Sequence, residues 1–253
     1  VGAYYAEIER DVAVSYGADL GKGFEYKSYV PASGKNPTDL MFDDTFNTDV
    51  FSIFGQYSID LSDVTELSIE GRYDKEKRTV SNNVPGVASA LYYGGGTPIN
   101  PAMAAVGDTI PSRDKSFDQF QPKISLTTSA ENTTVYASYG VGFRSGGFNS
   151  SGSAATTEFW LNSGNPFGLG VVGAGLGVSD TFKKEVSKSF EVGFKGRYLD
   201  GRLEVNGAIF ETDVDDNQFF EFFAGPWGLL RVVTNIDQLD ISGSELDFKY
   251  AVT

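Results

Sequence analysis

Carboxylates come closest to a catalytic arrangement in this 253-residue chain, because the sequence contains neither histidine nor cysteine. Without them there is no imidazole general base, no serine–histidine nucleophile, no thiolate zinc site and no disulfide. Glu66, Glu70 and Asp74, with Arg72 among them, share one face of an alternating segment. Two such carboxylates could act as acid and base in hydrolysis, but a charge ladder paired to neighbouring strands is the more ordinary arrangement. We therefore predict no catalytic residues.

Two clusters of aspartates offer the oxygen ligands that calcium binds: Asp43 with Asp44, and Asp213 with Asp215 and Asp216. Neither cluster has the spacing of a calcium-binding loop or the late glutamate that completes it. We interpret both clusters as solvated strand ends, and we predict no metal site.

Nucleotides and nucleic acids are poor candidates as ligands. The segment GLGVVG at 168–173 has the literal pattern of a dinucleotide-binding loop. It neither follows a strand nor opens a helix, so we interpret it as a flexible loop. The net charge of −14 and the lack of a concentrated basic patch disfavour binding to a phosphate backbone. We predict no cofactor and no nucleic-acid partner.

The elements that must position these residues are strands. Thirty glycines, 20 phenylalanines and 13 tyrosines suit strands and turns better than helices, and no run of about eighteen apolar residues could form a membrane helix. Apolar and polar residues alternate at 66–74 and 134–144, as they do in a strand with two unlike faces. The same alternation covers 51–61, 119–128, 189–198 and 245–252, less cleanly 202–213, and a further strand is expected within 1–16. The sequence predicts roughly eight strands.

The connectors between these strands alternate in length. Short turns rich in Asp, Ser, Asn and Gly lie at 61–64, 129–132 and 199–202. Long connectors lie near 17–46, 79–116, 145–184 and 217–230. In an up-and-down antiparallel sheet this alternation places all short turns at one end and all long loops at the other, as in outer-membrane barrels. A soluble β-sandwich could also alternate apolar and polar faces, but it has no need of this asymmetry.

A membrane barrel accounts for the positions of several aromatic and acidic side chains. Four tyrosines near strand ends would form the girdles at the lipid headgroups: Tyr57, Tyr73, Tyr139 and Tyr198. Glu211 and Asp213 lie on the otherwise apolar face of 202–213, which we interpret as a bulge or as emergence of this strand from the membrane. The polar faces would line a wet lumen.

Four segments resemble the TonB-dependent receptors, the plugged outer-membrane transporters of Gram-negative bacteria. YASYGVGFRSGGFN at 136–149 is similar to the family's tyrosine-rich strand with its Phe-Arg-Ser-Gly-Gly-Phe-Asn corner, and KSFEVGFKGRYLDGRLEVNGAIFETDVDDNQ at 188–218 resembles its Leu-Asp-Gly-Arg hairpin. FSIFGQYSIDLSDVTELSIEGRYDKEKR at 51–78 and ISGSELDFKYAV at 241–252 resemble two further parts of the family's barrel. The resemblance implies an all-β fold: an antiparallel, up-and-down transmembrane β-barrel segment, roughly eight strands of a barrel of about 22, with short periplasmic turns and long extracellular loops.

The resemblance also implies a function, namely active uptake of a scarce, bulky nutrient such as a ferric siderophore across the outer membrane of a Gram-negative bacterium. The partners would be membrane lipid, the small-molecule substrate and the TonB energy-coupling complex, which acts through a plug. We find no plug domain, signal peptide or terminal aromatic strand, so we expect residues 1–253 to be an internal part of the barrel domain. The alternative is a small self-contained outer-membrane barrel acting as a passive porin or adhesin, which should have its own signal segment and terminal strand.

Four residues in or near the long connectors are candidates for contact with a substrate: Arg144, Trp160, Trp227 and Arg231. A tryptophan exposed there could stack on a ligand, although packing against its own loop or at the membrane interface is the more ordinary role. The arginines could bind an anionic iron chelate through charge-assisted hydrogen bonds. A cross-strand ion pair is the more ordinary role for each arginine.

Overall fold

The fold is described by a computed structural model for residues 1–15, 40–84, 100–103, 109–161, 177–225 and 228–252. Its long strands are β1 (Gly2–Ser15), β2 (Leu40–Ser62), β3 (Thr65–Asn82), β4 (Arg113–Ala130), β5 (Thr133–Arg144), β8 (Glu185–Tyr198), β9 (Leu203–Gly225) and β10 (Gly228–Tyr250). Between β5 and β8 lie the short strand β6 (Gly147–Phe148), helix α1 (Ser153–Leu161) and the short strand β7 (Thr181–Phe182). No helix in these ranges is both long and apolar enough to span a membrane.

The long strands form one eight-stranded sheet in the order β1-β2-β3-β4-β5-β8-β9-β10. Every neighbouring pair is antiparallel, so the predicted number of strands and the up-and-down topology are confirmed. The short turns at 63–64, 131–132 and 199–202 also lie where the sequence predicts them. Strands β1 and β10 are the two edges of this sheet, which is therefore an open wall rather than a closed barrel.

One predicted long loop is wrong, because 217–230 belongs mainly to two strands. Strands β9 and β10 remain paired as far as Gly225 opposite Gly228. Four phenylalanines lie in this segment: Phe219, Phe220, Phe222 and Phe223. Aromatic side chains favour strands because they pack on a pleated surface and against cross-strand neighbours. Strands β2, β3 and β4 likewise extend into connectors that were predicted to be loop, and the predicted loop at 168–173 lies outside the described residues.

The apolar face of the sheet, called outward here, is exposed near the short turns. Its exposed side chains include Phe51, Ile53, Tyr57, Ile69, Phe120, Ile124, Tyr139 and Phe190. On β2 the outward apolar positions run from Phe51 to Leu61, a length that matches the roughly 9–11 residues with which a tilted strand crosses a bilayer. Beyond this belt, called the lipid band here, the outward side chains become charged at the cross-strand neighbours Asp49 and Lys77. The part of the sheet beyond the band is called the mouth.

Strand β9 leaves the lipid band between Ile209 and Glu211. Ile209 is an exposed outward residue, and Glu211 and Asp213 continue the same face of the strand. The pairing of β8 with β9 is unbroken through this segment, so the bulge interpretation is wrong. The acidic positions therefore support the other interpretation, in which the strand emerges from the membrane.

Candidate functional site

The chain turns inward directly after β5, and this turn shapes the mouth. All five residues of this turn, Ser145 to Asn149, are buried, and we call 145–149 the corner. A side-chain carbon on Gly146 would overlap the Phe117 ring and lie 2.6 Å from the carbonyl oxygen of Phe182. Glycine is therefore required at this position because the backbone passes directly against β4.

After the corner the chain forms a small unit, called the shelf here, from residues 150–161 and 177–184. Asp180 joins its two halves by accepting hydrogen bonds from the backbone N–H groups of Gly152 at 3.1 Å and Ala154 at 2.9 Å. These donors lie at the start of α1, where a carboxylate satisfies free N–H groups and opposes the helix dipole. The Arg113 guanidinium of β4 pairs with Asp180 at 3.3 Å, which fastens the shelf to the sheet.

Asp44 on β2 holds the shelf from the other side. Its carboxylate accepts hydrogen bonds from the Ser151 N–H at 2.9 Å and from the Asn82 side-chain amide at 3.1 Å. Asp44 is fully buried, so its interpretation as a solvated strand end is wrong. Burial raises the pKa of Asp44 above its ordinary value, against the opposing effect of the hydrogen bond from Asn82. The shelf covers this carboxylate. The sequence of β2 alone does not indicate that another segment packs over Asp44.

Three side-chain amides hold the corner and the shelf against β9 and β10. The Asn149 side chain accepts from the Val233 N–H at 2.8 Å and donates to the Val233 carbonyl at 2.9 Å. Asn235 makes the same double contact with the backbone of Lys183, at 2.7 and 3.2 Å. Gln218 donates to the carbonyl oxygens of Ser145 at 2.8 Å and Lys183 at 3.0 Å. We call Asn149, Gln218 and Asn235 the amide clamp.

Beyond the amide clamp the paired ends of β9 and β10, residues 217–225 and 228–236, form an arm. Leu230 and Val232 of the arm pack with Phe42 of β2 in a buried apolar cluster, and Phe223 and Val14 pack against it. The mouth ends of the outermost strands on both sides of the sheet therefore meet, although β1 and β10 do not pair among the described residues.

A group of exposed side chains on the arm forms the aromatic patch, defined as Phe219, Phe220, Phe222, Leu229 and Arg231. The four apolar side chains are 46–62% exposed. Phe220 stacks on Phe219 with ring centres 5.9 Å apart and meets Phe222 edge-on at 5.5 Å. The Arg231 guanidinium lies 4.7 Å from the centre of the Phe220 ring, within the range of a cation–π interaction.

The structure places three of the four sequence-predicted contact residues, and these three lie on different elements. Arg144 is the exposed last residue of β5, and Arg231 lies on the arm. Within the described part of the chain neither arginine makes an ion pair, so the cross-strand alternative is not what the structure shows. Trp160 belongs to α1, and Trp227 lies outside the described residues. The sequence analysis missed the amide clamp, although the corner motif contains Asn149.

The acids first considered for catalysis lie on the inward face and form the predicted charge ladder. Arg72 pairs with Asp74 at 2.8 Å on the same strand, and Lys123 of β4 pairs with Glu70 at 3.2 Å. Asp74 is buried and also accepts hydrogen bonds from the side chains of Ser52 and Gln121. These contacts occupy the carboxylates of Glu70 and Asp74. The described residues include no group of three acids that could hold a metal ion.

Comparison with known proteins places this geometry in a family. The model of the TonB dependent receptor-like β-barrel matches residues 3–252. Similar solved structures include the ferric-catecholate import receptor Fiu from E. coli K12, with 20% identity and a TM-score of 0.52 over 84% of this chain and 27% of that one. The ferric yersiniabactin uptake receptor FyuA from Yersinia pestis has 17% identity and a TM-score of 0.52 over 86% of this chain and 27% of that one. The copper transporter OprC has 19% identity and a TM-score of 0.50 over 83% and 27%.

At these identities the likeness to solved structures shows the fold alone, and this chain spans about a quarter of the length of those proteins. The family match carries more weight because it covers nearly the whole chain. The chain belongs to the TonB-dependent receptor family and forms part of the β-barrel wall of a Gram-negative outer-membrane protein.

Proposed function

We propose that this chain forms wall and extracellular mouth in a transporter that actively takes up a scarce, bulky nutrient such as a ferric siderophore. The family match supports the transporter class. Two of the similar proteins are named for ferric chelates and the third for copper, which supports a metal-bearing substrate. The proposal includes a plug outside residues 1–253, through which the TonB complex would act, and membrane lipid around the lipid band.

The aromatic patch is the observation that carries this proposal. The outward apolar residues of β9 end at Ile209, and Phe220 lies roughly 35 Å further along the strand at about 3.3 Å per residue. Lipid does not cover the patch at that distance, and an exposed aromatic cluster in water is typical of a binding surface. Arg231 adds a cation whose N–H groups suit the anionic oxygens of a metal chelate.

The test is uptake of a ferric catecholate by cells that carry the full-length receptor. Replacing Arg231 with Gln, or Phe220 with Ala, should raise the half-saturating concentration about tenfold, the effect of losing about 1.4 kcal/mol of binding. Arg202→Gln is the matched control, because Arg202 is exposed in a short turn at the opposite end of the sheet. Arg144→Gln tests the other arginine in the same way.

Two results would count against the proposal. Unchanged half-saturation in both patch variants would remove the aromatic patch from the binding surface. Uptake that continues at the same rate without TonB or a proton gradient would show passive passage, and the porin alternative would then replace active transport.

A further inference from the structure

Asn149, the last residue of the corner motif, forms hydrogen bonds through its backbone N–H and through both polar groups of its side chain. Its backbone N–H donates to the Asp180 carbonyl at 3.0 Å. Its side-chain amide donates to the carbonyl oxygens of Ser179 at 2.7 Å and Val233 at 2.9 Å, and it accepts from the Val233 N–H at 2.8 Å. Asn149 is 6% exposed. One buried side chain therefore connects three segments of the mouth.

The Asn149 side chain contacts Val233 in the way that a residue of a neighbouring strand would. Val233 lies opposite Phe220 in the pairing of β10 with β9, and its N–H and carbonyl both point to Asn149, on the side of β10 away from β9. These two groups would otherwise be a free pair on the edge of the sheet. The Asn149 amide supplies both the acceptor and the donor that a neighbouring backbone residue would supply.

The arm that carries Arg231 begins at this contact. Val233 is two residues from Arg231 along β10 and directly opposite Phe220. The other two amides of the clamp, Gln218 and Asn235, bind segments at the base of the arm. Gln218 joins the corner to this base through the Ser145 carbonyl, whereas Asn149 joins the corner to the arm further along, at Val233.

We propose that Asn149 is a positioning residue that sets the direction of the arm, and with it the place of the aromatic patch over the mouth. Its effect on substrate binding rests on the proposed function, while its effect on the arm does not. The variant Asn149→Asp tests the effect on the arm directly. It keeps an acceptor for the Val233 N–H but loses both side-chain donors. It also sets carboxylate oxygens against the carbonyl oxygens of Ser179 and Val233, which repel them.

The first measurement is the distance between two spin labels in the full-length receptor, one at Leu229→Cys on the arm and one at Glu131→Cys in a short turn. Both positions are exposed, and this chain has no cysteine of its own to label by accident. The Asn149→Asp variant should replace a single narrow distance with a longer or broader distribution. Asn206→Asp is the matched control, since Asn206 contacts Asp247 at 3.4 Å near the opposite end of the sheet and should leave the distance unchanged.

Val233→Pro is a second, independent variant, which keeps the proposal testable if Asn149→Asp fails to fold. Proline removes the N–H that Asn149 accepts, and this N–H points away from β9, so the pairing of the two strands keeps its bonds. The same change in distance should appear. An unchanged distance in both variants would overturn the proposal.

The second measurement is uptake of a ferric catecholate. A misplaced arm should raise the half-saturating concentration about tenfold while the maximal rate per receptor stays the same, whereas a merely structural defect would lower the number of receptors and the maximal rate. If the labels move but half-saturation does not, Asn149 still positions the arm, and it is the proposed binding role of the aromatic patch that fails.

Discussion

The lipid band and the mouth are built from the same strands, but the two regions differ in which face of those strands is apolar and in what covers each face. In the band the outward apolar side chains, such as Ile69 and Ile124, are exposed to lipid, and the inward polar chains pair with one another. In the mouth the outward face is charged, and inward side chains such as Asp44 and Phe117 are buried under the corner and shelf.

This contrast shows that alternation along a strand defines its faces but not what covers them. In the band the cover is the bilayer, which accepts any apolar side chain of suitable size and offers no hydrogen bonds. In the mouth the inward face is covered by another part of the same chain, whose side chains and backbone must pack and form hydrogen bonds with specific strand residues. Substitutions in the two regions should therefore fail for different reasons.

The largest effect should come from a charge on the outward face of the band. Ile69→Arg places a cation near the middle of the lipid band and should destabilise the folded receptor by about 2–4 kcal/mol. Urea unfolding of the full-length protein in lipid vesicles measures this loss. Thr79→Arg is the matched control: it lies on the outward face of the same strand but above the band, and it should cost under about 0.5 kcal/mol. Equal losses in the two variants would contradict the position of the band.

A smaller but more local effect should follow from adding one methyl group to the corner. Gly146→Ala forces the new carbon against the Phe117 ring and the Phe182 carbonyl, and overpacking of this kind costs about 1–3 kcal/mol. Gly140→Ala on the preceding strand β5 is the control, because the nearest atom there is a Lys123 side-chain carbon at 3.5 Å. Limited proteolysis should cut the shelf faster in the first variant and leave the second like wild type. Equal resistance would mean that the corner tolerates a side chain.

The smallest effect should be a pH dependence confined to the Asp44 side of the shelf. Burial raises the pKa of Asp44 above the ordinary 3.8. The Asp44 carboxylate therefore binds a proton more readily when the shelf is docked over it than when the shelf is undocked. Docking is therefore most stable at low pH, and this contribution is lost as the pH rises through the raised pKa. A spin label at Ala155→Cys should become more mobile as the pH rises from the ordinary value of 3.8 through the raised pKa of Asp44. Asp44→Asn should remove the trend, and a trend that survives in that variant would assign it to another group.

The sequence predicts the band far better than the mouth, for a physical reason. Strand alternation, short turns and even the emergence of β9 at Glu211 are local patterns, and each can be recognised within about ten residues. The contacts of the mouth are not local: Asp44 meets Ser151 across 107 positions of the chain, and Asn149 meets Val233 across 84. Nothing near Asp44 in the sequence indicates that it is buried. The FFEFF segment is also predicted wrongly from local sequence. It is assigned to a long connector, although its aromatic residues favour a strand.

The two sides of the shelf are fastened by different chemistry. Toward β9 and β10 the buried contacts are the uncharged amides of the clamp, whose hydrogen bonds respond little to dissolved salt, and one exposed ion pair, Lys183 with Asp216 at 2.8 Å, lies beside them. Toward β2 and β4 the contacts are the buried carboxylate of Asp44 and the ion pair of Asp180 with the Arg113 guanidinium, and dissolved salt screens such an ion pair. A rise in salt concentration should therefore weaken the attachment of the shelf to β2 and β4 first, while the three amides of the clamp continue to hold it against β9 and β10.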